Sequence, residues 1–499
     1  MVRAEPENNL AVADVVIIGA GIAGLTAAAL LAADGADVLV VERHNVAGGC
    51  ASFYQRDGYR FDVGATLVSG FGPRGVHRRL FARFGVDVPA TPVEPSMIVH
   101  LPDATVVRYG DGRWPAERLR AFGAGAEAFW ERQERVADLA WDFSARFPML
   151  PVDAAGLAGA LGAFRPRHLP LLAALGRPLA DLFPPGADRR LRTFVDAQLL
   201  ITAQTDADHA DLAYGATALD LARAGTFHLP EGPSTIAVAL ARVVRRAGGR
   251  IVYRTAVAGI ACDRAGRVAG VRLGDGHLVR TRRVIAAIPA ADTAALLPAP
   301  PAFARRLGAQ PQRWGAFMAY VAVPPGVVPD DTAFHHQLVA EYDRPPGEGN
   351  TVFLSFSGPG ERGRARDGGR ALTVSTHTDV AAWERAFHDG SYAERKAQLG
   401  ARLEAAVERV VPGAWTRAAF VELATPHTFA HFTGRGRGLV GGVPQTPWTA
   451  SLGAQSHQSG VPGLLLAGDT VFPGQSTVGA SLSGVAAARA AGASFRAER

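Results

Sequence analysis

Three glycines in "GAGIAG" (Gly19, Gly21 and Gly24), an acid at Glu42 and a glycine pair at Gly48 and Gly49 are spaced for one kind of chemistry. Such residues hold a pyrophosphate on backbone amides and set a carboxylate against a ribose. Gly19 and Gly21 allow a tight turn that phosphate can approach, and Gly24 allows a helix to pack closely on a strand. Glu42 follows Gly21 by 21 residues. At that separation an acid at a strand end accepts from ribose hydroxyls and repels a 2′-phosphate.

These residues need a strand, a helix and a second strand to position them. "DVVIIG" is the continuous apolar run of a buried parallel strand, "IAGLTAAALLAADG" a small-faced helix and "ADVLVVE" the next parallel strand. The helix start turns its amides to the phosphates. NAD and FAD share this fingerprint. Here "RHNVAGGCASFYQRDGYRFDVGAT" continues into a glycine-rich loop and a strand, "GYRFDVG", before any further helix–strand unit. Gly48, Gly49 and Gly64 bring that loop close to an extended dinucleotide, which favours FAD.

Two later stretches repeat the theme. "GLLLAGDTVFPGQSTVGASLSGVAAARAA" has an apolar strand ending in Gly468-Asp469, a proline–glycine turn and a small-residue helix. Asp469 can accept from a ribityl hydroxyl, and amides near Thr477 to Ala480 can face flavin phosphate or ring oxygens. Between the ends, "FHLPEGPS" leads into a helix from about Ser234, then strand "RIVYRTAVAGI" and hairpin strands "RVAGVRL" and "HLVRTRRVIAAI".

With these segments in hand, the chain resembles the flavin-containing amine oxidase and phytoene desaturase superfamily. Within it, the likeness is to the bacterial-type carotenoid desaturases and the related carotene isomerases and retinol saturases. The resemblance implies an α/β fold, in which an FAD-binding Rossmann-like domain is assembled from discontinuous segments beside a second, α+β substrate-binding domain. The expected FAD-binding segments are 1–85, 222–295 and 456–499, and the substrate segments 86–221 and 296–455. The implied FAD contacts are Gly19, Gly21, Ile22, Ala23, Gly24, Glu42, Arg43, Gly48, Gly49, Gly64, Val257, Gly468, Asp469, Val478 and Gly479. The Val478-Gly479 turn is expected beside the isoalloxazine.

The inserted segments carry the substrate expectation. "ERLRAFGAGAEAFWERQERVADLAWDFSARF" has helical spacing, "WGAFMAYVAVP" and "NTVFLSFSG" read as strands, and "YAERKAQLGARLEAAVERVV" reads as a helix. "PGERGRARDGGR" reads as a solvated loop. "RHLPLLAALGRPLADLFPP" is either a core helix pair or a bilayer-docking patch; from Arg165 to Arg192 there are six arginines against Asp181 and Asp188.

"LRTFVDAQLLITAQTDADHADLAYGATALDLARAGTFHLPEG" resembles the carotenoid 3′,4′-desaturases, and also the isomerase-like branch. The resemblance therefore implies a long apolar carotenoid, acyclic or 1′-hydroxylated, that gives up hydride to the flavin and a proton from the neighbouring carbon. Molecular oxygen or a membrane quinone would take the electrons. The protein's share is positioning and exclusion of water. His228 and Glu231 are the least arbitrary polar candidates for catalysis. Phe472 is a candidate flavin neighbour, and Cys50 is expected to be buried beside the cofactor.

Composition bounds the rest. A chain of 499 residues, 48% hydrophobic, suits two packed domains. Its net charge of +6 is dispersed arginine without basic–aromatic clustering, so nucleic acid is not expected as a partner. Two cysteines, Cys50 and Cys262, make neither a disulfide framework nor a metal site. The start, "MVRAEPENNLAVA", lacks the apolar run of a secretory signal. A cytoplasmic protein, peripheral at the cytoplasmic face of the membrane, is expected. Competing classes are a carotene cis–trans isomerase or saturase, a flavin amine oxidase and a non-catalytic lipid-binding protein. "VFPGQSTVGA" lacks the aromatic pair that would frame an amine.

Overall fold

Val15–Ile18 lies at the centre of a five-stranded parallel sheet drawn from three distant parts of the chain. The computed structural model describes residues 11–146, 154–308 and 313–493. Residues 1–10, read above for a secretory signal, and Phe147, at the end of the expected long helix, lie outside the described residues. Across the sheet the order is Leu464–Leu466, Val284–Ala286, Val15–Ile18, Val38–Val41 and Arg250–Val252, every pair parallel.

Successive residues of the central strands enter different cores. Val15, Ile17, Val38 and Val40 pack with helices Ile22–Ala33, Ser234–Arg246 and Ser476–Ala490. Val16, Ile18, Leu39 and Val41 pack against an antiparallel sheet of Val257–Cys262, Val268–Leu273 and Leu278–Arg280. A strand covered on both faces has no polar side, so the sequence shows no alternation there. Helix Ile22–Ala33 has 11 of its 12 residues buried. Its small residues make that possible: a Cβ on Gly24 would stand 2.1 Å from the Gly19 carbonyl oxygen.

Two expected strands are each divided. "RIVYRTAVAGI" gives Arg250–Val252 to the parallel sheet and Val257–Cys262 to the antiparallel one. The turn between them is held by Thr255 N donating to the Glu42 carbonyl at 2.9 Å. "HLVRTRRVIAAI" divides likewise into Leu278–Arg280 and Val284–Ala286.

Beside this lies a seven-stranded sheet in the order Val421–Ala424, Trp314–Val323, Arg370–Asp379, Thr351–Phe356, His335–Val339, Met97–His100, Thr105–Arg108. Its one parallel pair, His335–Val339 with Met97–His100, joins strands from the two inserted stretches. Neither stretch completes the sheet alone. Helices Val380–Asp389 and Tyr392–Val410 close one face around Phe317, Leu354, Trp383 and Leu403. Helices Trp114–Phe122, Glu127–Arg146, Arg189–Ala203 and Leu212–Leu219 form a separate core around Trp114, Phe122, Trp130 and Phe194. Removing a fully buried ring such as Trp130 costs about 3–5 kcal/mol.

Spacing predicts one helix where the structure has two, because Gly123, at φ +74°, ends the first after Phe122. "PGERGRARDGGR" is a loop as expected, yet Arg364 and Ala365 within it are buried. The segment Arg167–Pro185 is not a core helix pair: it forms the short helix Leu169–Ala174 and a 3-10 turn, Leu179–Leu182. Leu179 and Leu182 are buried, but Leu157, Leu161, Leu169, Leu172 and Leu175 are 52–69% exposed. No helix among the described residues is long and apolar enough to cross a membrane. The architecture is a Rossmann-like domain of the FAD-binding kind, assembled from discontinuous segments, with additional α+β layers beside it.

Candidate functional site

One continuous cavity of about 1520 Å³ runs from the start of helix Ile22–Ala33 to Leu172 and Leu175. Its first end is the glycine turn. Gly19, Gly21, Ile22 and Ala23 line it, and the first amides of the helix have no partner within the helix. Gly24 does not line it; its close contact with Gly19 holds helix against strand instead. Glu42 also borders the cavity and is fixed by two backbone donors, Ala20 N and His44 N, each at 2.7 Å from one carboxylate oxygen. Gly48, at φ +121°, donates from its amide to the Ala20 carbonyl at 2.9 Å, which lays the second glycine loop along the first. Arg43, Gly49, Gly64 and Val257 complete this end.

The residues here fit an extended dinucleotide. A Cβ on Gly21 would meet no protein atom within 4 Å, so the glycine keeps open space beside the helix amides. Ser52 Oγ, on the same wall, is buried without a partner among the described residues.

The middle of the cavity is set by the last segment of the Rossmann-like domain. Gly468, Asp469, Phe472, Val478 and Gly479 all line it. Asp469 accepts from Arg435 at 2.8 Å, and Arg435 Nε donates to the Leu439 carbonyl at 2.6 Å. Cys50 sits beside this pair. Burial pushes its thiol up, and Arg435 opposes the shift. A thiol held protonated is a poor nucleophile.

Beyond Asp469 the cavity runs over the seven-stranded sheet. Ala424, Met318, Ser375, Phe353 and Gln337 are register partners across five strands, and all five line it. Ile201 and Tyr214 border it from the helical layer, and Trp141, Phe143 and Leu171 line it toward the exposed leucines. Titratable groups on this wall are held neutral or engaged. His377 is pushed down to about 4 by burial. Burial raises Asp211 to about 6 against its bond from Tyr214 N. Tyr54 is pushed up to about 12 by burial and by its bond to Glu422.

Neither expected polar candidate lies on the cavity. His228 Nε2 bonds the Glu361 carboxylate, and its ring stacks on Phe334 with centroids 4.1 Å apart. Glu231 pairs with Arg60 at 2.7 Å and is about half exposed. They precede helix Ser234–Arg246, none of whose residues lines the cavity. Arg435, His377, Gln204 and Gln337 line the cavity, and no sequence motif marks them. Arg435 sits in "GRGRG", where nothing local marks one arginine from the next.

Known proteins resemble this chain in sequence and in fold. Residues 17–84 match the family model described as an NAD(P)-binding Rossmann-like domain. The chain is 27% identical over 521 residues to the chloroplastic prolycopene isomerase of Arabidopsis thaliana, covering 97% of this chain and 84% of that protein. It is 29% identical to the neurosporene-forming phytoene desaturase of Rhodobacter capsulatus, over 56% of this chain and 53% of that protein. Among solved structures, cyclohexylamine oxidase from Brevibacterium oxydans IH-35A shares the fold, with a TM-score of 0.60 and 18% identity. That match covers 96% of this chain and 97% of that chain. The chain is homologous to carotenoid isomerases and desaturases and shares its fold with amine oxidases.

Proposed function

We propose that this chain is an FAD-dependent enzyme of carotenoid metabolism that interconverts cis and trans double bonds of a polyene. The observation that carries the reading is its near full-length similarity to a prolycopene isomerase. The cavity supports it, because dinucleotide-fitting turns lead directly into an apolar passage. Gly19, Gly21, Ile22, Ala23, Gly48, Gly49 and Gly64 would carry the phosphates and the loop contacts. Glu42 and Arg43 would meet the ribose side, Val257 the adenine side, and Gly468, Asp469, Val478 and Gly479 the flavin side. FAD, when bound, supplies electron exchange with the polyene.

The chain's own part is geometric. Met318 and Phe353 on the sheet and Ile201 and Tyr214 on the helical layer hold an elongated substrate between them and keep water from it. The absence of His228 and Glu231 from the cavity fits a reaction whose protein share is positioning. The segments 1–85, 222–295 and 456–499 form the cofactor domain in this reading, with 86–221 and 296–455 as the substrate domain. Leu161, Leu169, Leu172 and Leu175 rest on a bilayer, from which a lipid-dissolved substrate enters, so the protein is peripheral to a membrane.

A second reading, 3′,4′-desaturation with oxygen or a quinone as acceptor, draws support from similarity to the Rhodobacter phytoene desaturase. One experiment separates them. Purified protein loaded with FAD is incubated with a cis-polyene under anaerobic reducing conditions and again with oxidised FAD and a quinone. Unchanged mass with a shifted absorption spectrum in the first arm supports isomerisation. Loss of two hydrogens in the second arm supports desaturation. Protein that folds but neither retains FAD nor changes the polyene in either arm overturns both.

A further inference from the structure

The cavity wall carries a buried charge that the chain answers only in part. Arg108 ends strand Thr105–Arg108, is 4% exposed and borders the cavity. Its neighbours on the wall are apolar: Met97, its register partner, and Ala218, Leu219 and Leu221. Nη1 donates to the Tyr109 carbonyl at 3.0 Å, and Nη2 to the Leu219 carbonyl at 2.7 Å. A guanidinium has five N–H groups to place. Here Nε–H makes no hydrogen bond among the described residues. Unlike Ser52 Oγ, Nε keeps open surface, which the cavity supplies.

The charge is held but not neutralised. Leu219 closes helix Leu212–Leu219, whose carbonyl end carries partial negative charge. The Trp114 ring lies against the guanidinium, its centroid 3.9 Å from Cζ. Three carboxylates are near enough to attract Arg108, those of Asp220, Glu134 and Glu94, and none of them closes on it. Each is committed elsewhere. Asp220 pairs with Arg223 at 2.8 Å and accepts from Trp141 at 2.9 Å. Glu134 pairs with Arg118 at 2.6 Å, and Glu94 accepts from Gly110 N at 3.1 Å. Burial pushes Arg108 down to about 10, against the pull of those acids, so it stays charged at neutral pH.

A hydrocarbon in the cavity leaves this charge uncompensated. A hydroxyl or keto oxygen would satisfy the N–H without balancing the charge, whereas a carboxylate does both. We infer that Arg108 is an anion subsite for a carboxylate carried at the end of a long apolar chain, one carboxylate oxygen accepting from Nε–H. Such a chain is either a polyene acid on which the enzyme acts or a fatty acid drawn from lipid. The inference rests on reading the cavity as a passage for an apolar chain.

FAD-loaded protein is titrated calorimetrically in two arms, with a polyene acid and its methyl ester, and with a saturated fatty acid and its methyl ester. The wild type is expected to bind acid at least roughly tenfold more tightly than ester, the worth of a hydrogen bond to a charged group. A preference in the polyene arm makes the acid a substrate, and one in the fatty arm alone makes it a lipid occupant. Arg108→Met brings acid and ester together, and Arg108→Lys, which keeps a charge, retains part of the preference. Flavin content confirms that each variant is folded. Equal affinity for acid and ester in both arms of the wild type overturns the inference, and leaves the polyene reading standing if the polyene binds. A preference that survives in folded Arg108→Met also overturns it. Binding of neither polyene form, with the fatty acid still preferred over its ester, overturns the polyene reading and keeps the subsite.

Discussion

Arg364 donates to Asp62 across 2.9 Å, and the two side chains are only 4% and 8% exposed. One comes from a loop between strands of the large sheet, the other from the hairpin that leads into Val63 and Gly64 on the cavity wall. The pair therefore ties the two halves of the molecule together beside the cofactor end. Removing one partner strands a buried charge, at about 3–5 kcal/mol. Arg364→Met is expected to lower the urea midpoint sharply. Adding Asp62→Leu should recover part of the loss, and a double variant no better than the single one would contradict this.

The glycine turn gives a cleaner test of cofactor binding. Gly21 has an ordinary extended backbone, with φ −72°, and open space where a Cβ would go. Gly21→Ala should leave the melting temperature of the apoprotein within a degree or two while flavin content falls at least tenfold. Gly24→Ala, aimed at the Gly19 carbonyl, should destabilise the apoprotein itself. Equal flavin content in Gly21→Ala and wild type would remove the phosphate role from this turn.

Buried imidazoles and buried carboxyls give this fold opposed responses to acid. Burial pushes His77, His336 and His377 down to about 4 and His335 down to about 3. Below about pH 6.5 the unfolded chain takes up protons at these four rings that the folded protein refuses, so their share of the stability falls as pH drops toward 4. Asp196 and Asp211, raised by burial to about 6, act in the opposite sense between pH 6 and 4. Burial also raises Asp62, Glu94, Asp220 and Asp292, which act with those two carboxyls, and lowers His100, which acts with the four rings. A single ring is therefore the cleaner test: His335→Gln should make the urea midpoint less sensitive to acid between about pH 6.5 and 4 by about one proton's slope, and an unchanged slope in urea melts at half-unit pH steps would contradict this.

Leu161 and Leu169 are 69% and 58% exposed and do not line the cavity, so they test membrane contact apart from substrate contact. Each leucine buried in lipid is worth about 1.5–3 kcal/mol. Leu161→Glu with Leu169→Glu should weaken co-sedimentation with anionic vesicles at least roughly a hundredfold. Unchanged binding would take the bilayer out of the proposal.

What the sequence disclosed depended on separation along the chain. Gly19, Gly21, Gly24 and Glu42 act within one strand–helix–strand unit, so spacing alone placed them. The discontinuous sheet was legible because four of its strands keep an unbroken apolar run, and only the edge strand Arg250–Val252 opens on a charged residue and is half-buried. His377 and Gln204 stand 173 residues apart, and only sheet register and the end of a helix bring them together. His228 failed the opposite way: its local setting was informative, but a stacking ring and a carboxylate partner on distant segments decided its place. Gly123 could have been read as a stop, since an exposed glycine between two amphipathic runs costs helix stability. The apolar periodicity on both sides masked it.

The order of the parallel sheet has a consequence for how this protein comes into being. Leu464–Leu466 joins an array whose centre, Val15–Ile18, is made about 450 residues earlier. At about 5–20 residues per second, a ribosome needs roughly 20–90 s to deliver the final neighbour. Throughout that interval the growing polypeptide carries a greasy, half-finished edge, the kind of surface through which incomplete chains find one another.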